Sequence, residues 1–282
     1  MRTNGYANPG ALVETGWLQA RLDDPSVRVV EVDEDVTAYG RGHIPGAVSW
    51  DWNTDLRAAV GRDFIDQEGL TSLLRSAGVD AGTTVVLYGG NNNWFAAYAY
   101  WLLRLRGVER VALLDGGRKK WELEARPFTD EVPLYARGTI ALDASVRGEI
   151  RAFRNQVLAR LGHAALVDVR SPEEYRGEKL APDHLPQEQA QAPGHIPGAA
   201  NIPWSKAANQ DGTFRSADDL RALYEGAGIT ADREVIAYCR IGERSAHTWF
   251  ALTELLGYPD VRNYDGSWTE YGSLVGVPVE RG

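Results

Sequence analysis

The sequence has a single cysteine and a single methionine among its 282 residues. One cysteine excludes a disulfide within the chain. Five histidines are scattered along the sequence and form no cluster with metal-ligand spacing. We therefore expect neither a metal site nor another cofactor.

Basic charge and long apolar runs are also scarce. Lysine and arginine number 30 against 39 aspartates and glutamates, a formal net charge of −9. Such a chain lacks the basic footprint of a nucleic-acid-binding protein, and any anion site has to be built locally. No apolar run is as long as a membrane span, and residues 1–10 lack the charged and apolar regions of a signal peptide. We expect no nucleic-acid or membrane partner and a cytoplasmic location.

What the sequence does contain is an internal repeat. The hexapeptide Gly42–Ala47 recurs as Gly194–Ala199, and an Asp-Gly turn at Asp115 recurs at Asp265. Matches in the same order and at nearly the same spacing indicate two homologous domains. The predicted division is a first domain over 1–135, a linker over 136–150 and a second domain over 151–282.

Each half alternates short β-like runs with amphipathic helical segments. Such alternation predicts an α/β fold in which each domain has a parallel sheet flanked by helices on both faces. Segment 177–193 is rich in proline, glutamine and alanine and is predicted to be a surface loop. The predicted strands are 84–88, 164–169 and 234–238, and the predicted helices are 94–105, 216–227 and 245–256.

Cys239 lies between a predicted strand and a predicted helix, where backbone N–H groups without helical partners can converge on one atom. These N–H groups, together with Arg240 and Arg244, are expected to lower the pKa of the thiol. Gly242 would allow the tight turn. The alternative is a buried structural cysteine, which a thiol sealed inside a domain would favour.

The segment from Cys239 to Ser245 resembles the active-site loop of rhodaneses, in which four residues separate the cysteine from an arginine or threonine. The two Gly-His-Ile-Pro-Gly-Ala copies resemble another signature of the family. Segments 167–175 and 264–270 resemble two more. Together these segments cover most of both halves, and the chain most resembles two-domain thiosulfate sulfurtransferases of the actinobacterial type.

The resemblance implies two tandem rhodanese-like domains, of which only the second is catalytic, because Gly89 stands at the position of Cys239. It also implies that sulfur moves from a small anionic donor, thiosulfate, through a Cys239 persulfide. The acceptor would be cyanide or a thiol, such as that of a thioredoxin-like protein.

By the same resemblance, the loop after the catalytic Cys239 binds the substrate. A second group of residues is predicted to support the site by pairing charges or bordering the cleft. For Arg244, binding the donor and pairing with Glu174 or Glu243 are both open. The predicted substrate-binding residues are Arg240, Ile241, Gly242, Glu243, Arg244 and Ser245. The predicted supporting residues are Arg170, Glu174, Asp265, Trp268 and Trp94.

Two departures from the vertebrate thiosulfate enzymes are visible. Ile241 stands where those enzymes have a lysine, and Glu174 stands where they have an arginine. Anion recognition is therefore expected to differ in detail, and a 3-mercaptopyruvate sulfurtransferase is the alternative enzyme. The loops of those enzymes are usually small and uncharged, which Arg240 and Glu243 argue against.

Two readings from other classes are also open. Tyrosine phosphatases and arsenate reductases have a similar loop, but with five residues between cysteine and arginine, and here only four intervene, from Arg240 to Glu243. A non-catalytic rhodanese-type binding module is the other reading, and the presence of Cys239 argues against it for the second half.

Overall fold

The computed structural model describes residues 5–143, 147–181 and 189–282, so part of the predicted loop 177–193 lies outside the described residues. The chain forms two compact units. The N-terminal unit contains Gly10–Arg147 and Gln210–Thr213. The C-terminal unit contains Met1–Pro9, Gly148–Asn209 and Phe214–Gly282. The predicted domain boundaries stay a prediction.

The N-terminal unit is built on a five-stranded parallel sheet with the strand order β1-β5-β4-β2-β3. Its elements are β1 Leu12–Val13, α1 Thr15–Gln19, β2 Val27–Asp33, α2 Thr37–Arg41, β3 Val48–Asp51, α3 Trp52–Asp55, α4 Gln67–Ser76, β4 Thr84–Tyr88, α5 Trp94–Leu105, β5 Val111–Leu114 and α6 Gly117–Leu123.

The C-terminal unit has a four-stranded parallel sheet with the order β7-β6-β8-β9. A π-helix, Ala251–Leu255, follows directly on α10. The other elements are α7 Arg154–Ala159, β6 Ala165–Asp168, α8 Pro172–Arg176, β7 Ala200–Asn201, α9 Ala217–Glu225, β8 Val235–Tyr238, α10 Glu243–Phe250, β9 Val261–Tyr264 and α11 Ser267–Tyr271.

The predicted α/β class with two helix-flanked parallel sheets is confirmed. The central strands β4 and β8 are almost wholly buried, as expected of strands covered on both faces. The Ser216 hydroxyl caps the N-terminus of α9 by accepting the N–H of Asp219. None of the helices among the described residues has the length and apolar character needed to cross a membrane.

The two hexapeptide turns are fixed by buried histidines. His43 hydrogen-bonds through Nδ1 to the carbonyl of Tyr39 and through Nε2 to that of Glu131, over 3.0 and 3.1 Å. His195 hydrogen-bonds through Nδ1 to the carbonyl of Tyr175 over 2.8 Å. Each imidazole also stacks on the tyrosine that it contacts. Both histidines hold a loop in place.

Two short segments lie in the unit opposite to the one their place in the sequence suggests. Residues 5–9 belong to the C-terminal unit, where the N–H of Ala7 donates to the carbonyl of Leu255 over 2.8 Å and that of Asn8 to the carbonyl of Glu254 over 2.9 Å. Conversely, Gln210–Thr213 belongs to the N-terminal unit.

Candidate active site

Cys239 follows β8 directly and lies four residues before α10 becomes regular at Glu243. Its Sγ accepts the backbone N–H of Gly242 over 3.1 Å and also that of Ser245. The N–H of Cys239 itself donates to the Ser267 hydroxyl over 3.0 Å. The predicted convergence of loop amides on the sulfur is therefore present.

Gly242 makes the turn that aims these amides inward. Its φ is +102°, and a Cβ at this position would lie 2.6 Å from the Cα of Asp265. Both features exclude a side chain. The Gly242 carbonyl accepts the N–H of Ala246 over 3.2 Å, which begins α10, and the side-chain amide of Asn263 over 3.0 Å. The predicted reason for a glycine here is confirmed.

Glu243 is the charged side chain that touches the sulfur. Its Oε2 lies 3.3 Å from the Cys239 Sγ, so the thiol donates a hydrogen bond to the carboxylate. The side chain of Glu243 is 0% exposed. A residue predicted only as part of the substrate-binding loop thus contacts the atom that would react.

The predicted lowering of the thiol pKa is wrong. Burial is the largest influence on Cys239 and raises its pKa, and the negative charge of Glu243 raises it further. Arg244 and the N–H groups of Ser245 and Gly242 lower the pKa, but not by enough to reverse the sign. The sequence identified the groups that favour the thiolate, but it showed neither the depth of the site nor the direction of the Glu243 carboxylate.

The burial of Cys239 is complete, with 0% of the residue exposed. Complete burial by itself would favour the alternative of a structural cysteine in the core. The contacts of the sulfur argue against that alternative, because Sγ contacts two backbone N–H groups and a carboxylate rather than hydrocarbon alone. A donor can reach this sulfur only if part of the surrounding structure moves.

Arg244 forms a buried two-fold ion pair with Glu174. Nη1 and Nη2 lie 2.8 and 2.9 Å from the two carboxylate oxygens. Burial by itself would raise the pKa of Glu174, but the hydrogen bonds and charge of Arg244 outweigh it and hold this pKa below its ordinary value. Of the two predicted carboxylate partners, Glu174 takes the bidentate contact, while Glu243 lies 4.0 Å from the Arg244 Nε.

Arg170 pairs with a carboxylate, as predicted. Its Nε and Nη2 donate to Asp168 over 3.0 and 2.6 Å, and Nη2 also donates to the Gly194 carbonyl over 2.7 Å. The guanidinium lies over the Trp268 ring at 4.8 Å, and the indole N–H donates to the Ala192 carbonyl. This network fixes one hexapeptide turn and the start of α11.

The remaining predicted residues lie in different surroundings. Asp265 forms a two-fold ion pair with Arg151, with contacts of 2.9 and 2.8 Å. Ile241 and Arg240 are buried, and the Arg240 carbonyl accepts a backbone N–H from α11. Trp94 lies in the N-terminal unit, where its ring stacks on that of the next residue.

Sequence reasoning missed three residues that shape the loop. Ser267 has a φ of +53° and places its hydroxyl on the N–H of Cys239. Asn263 bridges the Gly242 carbonyl and the Ser245 hydroxyl, with contacts of 3.0 and 2.6 Å. The third is Arg151. The signal for the first two was the repeat around Asp265, which both residues flank.

Fold and loop together define a class: proteins in which a cysteine sits in a ring of amides between a parallel strand and a helix, the arrangement that stabilises an anionic sulfur or oxyanion.

Comparison with known proteins narrows this class to one family. The model of the rhodanese-like domain matches twice, over residues 14–124 and 154–274. The chain belongs to the rhodanese family, and each half carries one such domain.

The curated relatives are similar over nearly their full length. A protein of Mycolicibacterium smegmatis named "Putative thiosulfate sulfurtransferase" is 58% identical over 98% of this chain and 99% of its own. The "Sulfur carrier protein TtuD" of Thermus thermophilus is 55% identical over 99% of both chains. These relatives support a sulfurtransferase.

Solved structures agree with the fold. EanB in complex with ergothioneine has a TM-score of 0.83 at 26% identity, covering 97% of this chain and 70% of its own. YnjE has a TM-score of 0.82 at 27% identity, covering 96% and 68%. A further EanB structure, with a TM-score of 0.84 at 26% identity over 98% of this chain and 72% of its own, is described as a cysteine persulfide in a tetrahedral intermediate state with ergothioneine.

Proposed function

We propose that this chain is a thiosulfate sulfurtransferase that passes sulfane sulfur to cyanide or to a thiol through a persulfide on Cys239. The observation that carries the proposal is the pair of backbone N–H groups, from Gly242 and Ser245, that donate to the Cys239 Sγ. Names of the relatives point the same way, since several contain "thiosulfate sulfurtransferase".

In the first half of the cycle the Cys239 thiolate attacks the outer sulfur of thiosulfate. The bond between the two sulfur atoms of thiosulfate breaks, and sulfite leaves with the electron pair. The terminal sulfur of the new persulfide then carries the negative charge that the thiolate had. The N–H groups of Gly242 and Ser245 already point at Sγ, so they stabilise the thiolate that attacks and the thiolate that is restored when the sulfur leaves.

In the second half an anionic acceptor, cyanide or a thiolate, attacks the terminal sulfur. The persulfide S–S bond breaks, its electron pair returns to Sγ, and thiocyanate or a new persulfide departs. This is a double-displacement cycle with a covalent intermediate. A small dithiol protein of the thioredoxin type would be a suitable thiol acceptor.

A single-turnover assay tests the proposal. Thiosulfate without acceptor should release one sulfite per chain and leave one extra sulfur atom on Cys239, detectable by mass spectrometry of the intact chain. Adding cyanide should then yield thiocyanate. Cys239→Ser should do neither. Absence of the added sulfur in the wild type, or its presence in Cys239→Ser, would reject the mechanism.

The same assay compares the alternatives. A higher kcat/KM with 3-mercaptopyruvate than with thiosulfate would assign the other donor. Release of phosphate from an aryl phosphate would point to the phosphatase class, and no turnover with any of the three would favour a binding module.

The relative named a sulfur carrier favours a second candidate, in which the persulfide is handed to a protein rather than to a small molecule. Loading Cys239 with radiolabelled sulfur and offering either cyanide or reduced thioredoxin separates the two. Faster transfer to the protein thiol would support the carrier role.

A further inference from the structure

Glu243 and Cys239 form a buried pair of acids at the start of α10. Oε2 and Sγ are 3.3 Å apart, and neither residue has exposed surface. Two neighbouring acids out of contact with water cannot both be ionised at ordinary cost, since each negative charge opposes the other. When the sulfur becomes a thiolate, the proton that it loses therefore has an acceptor already in hydrogen-bond contact, the Glu243 carboxylate.

Arg244, the cation in contact with Glu243, is engaged mainly by another carboxylate. Both terminal nitrogens of Arg244 donate to Glu174. The Arg244 Nε is 4.0 Å from the other Glu243 oxygen, a longer contact than that between Glu243 and the sulfur. The Cys239 sulfur is thus the nearest polar contact of the Glu243 carboxylate.

From this geometry we infer that Glu243 is a catalytic residue, which takes the proton of the Cys239 thiol when the persulfide forms and returns it when the sulfur leaves. The inference rests on the proposed function and deepens it. The proton moves from Sγ to Oε2 along the existing hydrogen bond, so the attacking thiolate and a neutral carboxyl appear together.

The balance of the cycle supports this role. Thiosulfate exchanges one anion on Cys239 for another, because the thiolate becomes an anionic persulfide as sulfite departs. No proton has to enter or leave with either small molecule. A neutral Glu243 can donate its hydrogen bond to the sulfur throughout, and the proton goes back to Sγ only when the resting thiol is restored.

The test variant is Glu243→Gln, which keeps the shape of the side chain but cannot accept the proton. Iodoacetamide alkylation of Cys239 reports on the thiol without any sulfur donor. In the wild type the alkylation rate should fall less steeply below the thiol pKa, because the thiol can pass its proton to the Glu243 carboxylate. In Glu243→Gln the rate should fall about tenfold for each pH unit below the thiol pKa.

Sulfite release in a single turnover should follow the same two patterns. Identical profile shapes for the wild type and Glu243→Gln would overturn the inference. Glu225→Gln, which changes an exposed carboxylate at the end of α9, should keep the wild-type profile and serves as the matched control. Because alkylation needs no thiosulfate, failure of sulfur transfer in the wild type leaves this test intact and rejects only the proposed function.

A measurement on the wild type covers the case in which the variant does not fold. Infrared difference spectra recorded on adding thiosulfate should show a protonated carboxyl band as the persulfide forms, and Cys239→Ser should show none. Persulfide formation, seen by mass, without that band would also overturn the role of Glu243.

Discussion

The two halves of the chain contain the same arrangement of a carboxylate, a tyrosine and an arginine, here called the frame, but the loops beside it differ. In the N-terminal unit Glu31 on β2 lies opposite Tyr88 on β4, and the tyrosine hydroxyl donates to the carboxylate. In the C-terminal unit Asp168 on β6 lies opposite Tyr238 on β8 with the same hydrogen bond. Each tyrosine is the last residue before the loop at the carboxyl end of its strand.

The arginine that completes each frame comes from a different place in the sequence. Arg118 on α6 pairs with Glu31 and donates to the carbonyl of Gly42. Arg170, two residues after β6 ends at Asp168, donates to the carbonyl of Gly194. Both guanidinium groups reach the first residue of a hexapeptide turn. In both units a guanidinium thus occupies the same point, although the two arginines come from different positions along the chain.

The loops themselves differ in what they leave for chemistry. Asn93 turns its side chain back onto the loop, where Oδ1 accepts the N–H of Gly89 over 3.0 Å. Three successive asparagines, Asn91 to Asn93, have positive φ values between 47° and 63°. The N–H of Gly89 therefore donates to the side chain of Asn93, whereas in the C-terminal unit loop N–H groups donate to the Cys239 sulfur. The N-terminal unit thus keeps the frame although its loop has no cysteine.

Removing the two arginines should give the largest difference between the units. Arg170 and Asp168 are both 0% exposed, so Arg170→Met should cost about 3–5 kcal/mol of unfolding free energy by leaving a buried carboxylate unpaired. Arg118→Met should cost less, about 1.5–3 kcal/mol, because its side chain is 13% exposed. Urea unfolding of both variants checks this. Equal losses would mean that the two frames are energetically equivalent.

Placing a cysteine at the equivalent position of the N-terminal unit should not create a second sulfur-transfer site. A Cβ at Gly89 would lie 2.4 Å from the Val32 carbonyl oxygen, so Gly89→Cys should destabilise the chain by about 1–3 kcal/mol. In a Cys239→Ser background it should form no persulfide with thiosulfate, measured by intact mass. Gly82→Cys, where a Cβ meets nothing within 4 Å, is the control for adding a thiol to this unit. Sulfur loading at position 89 would show that the loop amides suffice.

His247, buried in α10, should make the C-terminal unit lose stability in acid. Burial lowers the pKa of His247 to about 3. Between that pH and about pH 6.5 the imidazole is therefore neutral in the folded chain but takes up a proton in the unfolded chain. Stability from this group is therefore complete above that pH and is lost on acidification, at up to about 1.4 kcal/mol per pH unit.

Replacing His247 with phenylalanine should flatten that dependence, because the ring already stacks on Phe214 at 4.4 Å and its Nδ1 has no hydrogen-bond partner. Urea unfolding between about pH 7 and pH 5 measures the slope. The exposed His163 offers a control, His163→Gln, which should keep the wild-type slope. An unchanged slope in His247→Phe would show that the imidazole is protonated in the folded chain.

The smallest effect is expected at Asp211, in the segment that the second half of the sequence contributes to the N-terminal unit. Burial raises its pKa, but the Thr213 hydrogen bonds and Lys120 outweigh this and lower it to about 2. Since 39% of the Asp211 side chain is exposed, Asp211→Asn should cost less than about 1 kcal/mol.

That contribution should be present above about pH 4 and fade as pH falls towards about 2, because a depressed carboxyl pKa stabilises only the ionised form. Urea unfolding of Asp211→Asn, Lys120→Gln and the double variant measures the coupling at pH 7. A coupling of zero would leave only the Thr213 hydrogen bonds as the role of Asp211.

Much of the fold was predictable because local signals mark its element ends. Strand 84–88 and helix 94–105 begin and end at the predicted residues. The second-half helix predicted for 245–256 begins earlier, at Glu243, and its last part is a π-helix. The spacing of apolar residues in the sequence does not distinguish a π-helix from an α-helix here, because the π-helix is only five residues long.

The part of the site that depends on the backbone, the convergence of loop N–H groups on the sulfur, was predictable from the sequence. A cysteine between strand and helix, followed by Gly242, was enough to predict amides converging on the sulfur. The sign of the thiol pKa was not, because it depends on burial and on the side-chain direction of Glu243. Nor could the sequence show that Arg118 substitutes for Arg170, since the two occupy unrelated positions along the chain.

The exchange of short segments between the two halves has a consequence for synthesis. Residues 5–9 leave the ribosome early, yet the backbone groups they bind, at Glu254 and Leu255, are made near the end. The N-terminal unit in turn is incomplete until Gln210–Thr213 has been synthesised. A nascent chain therefore cannot finish one unit before starting the other, and no single cut in the sequence yields two whole halves.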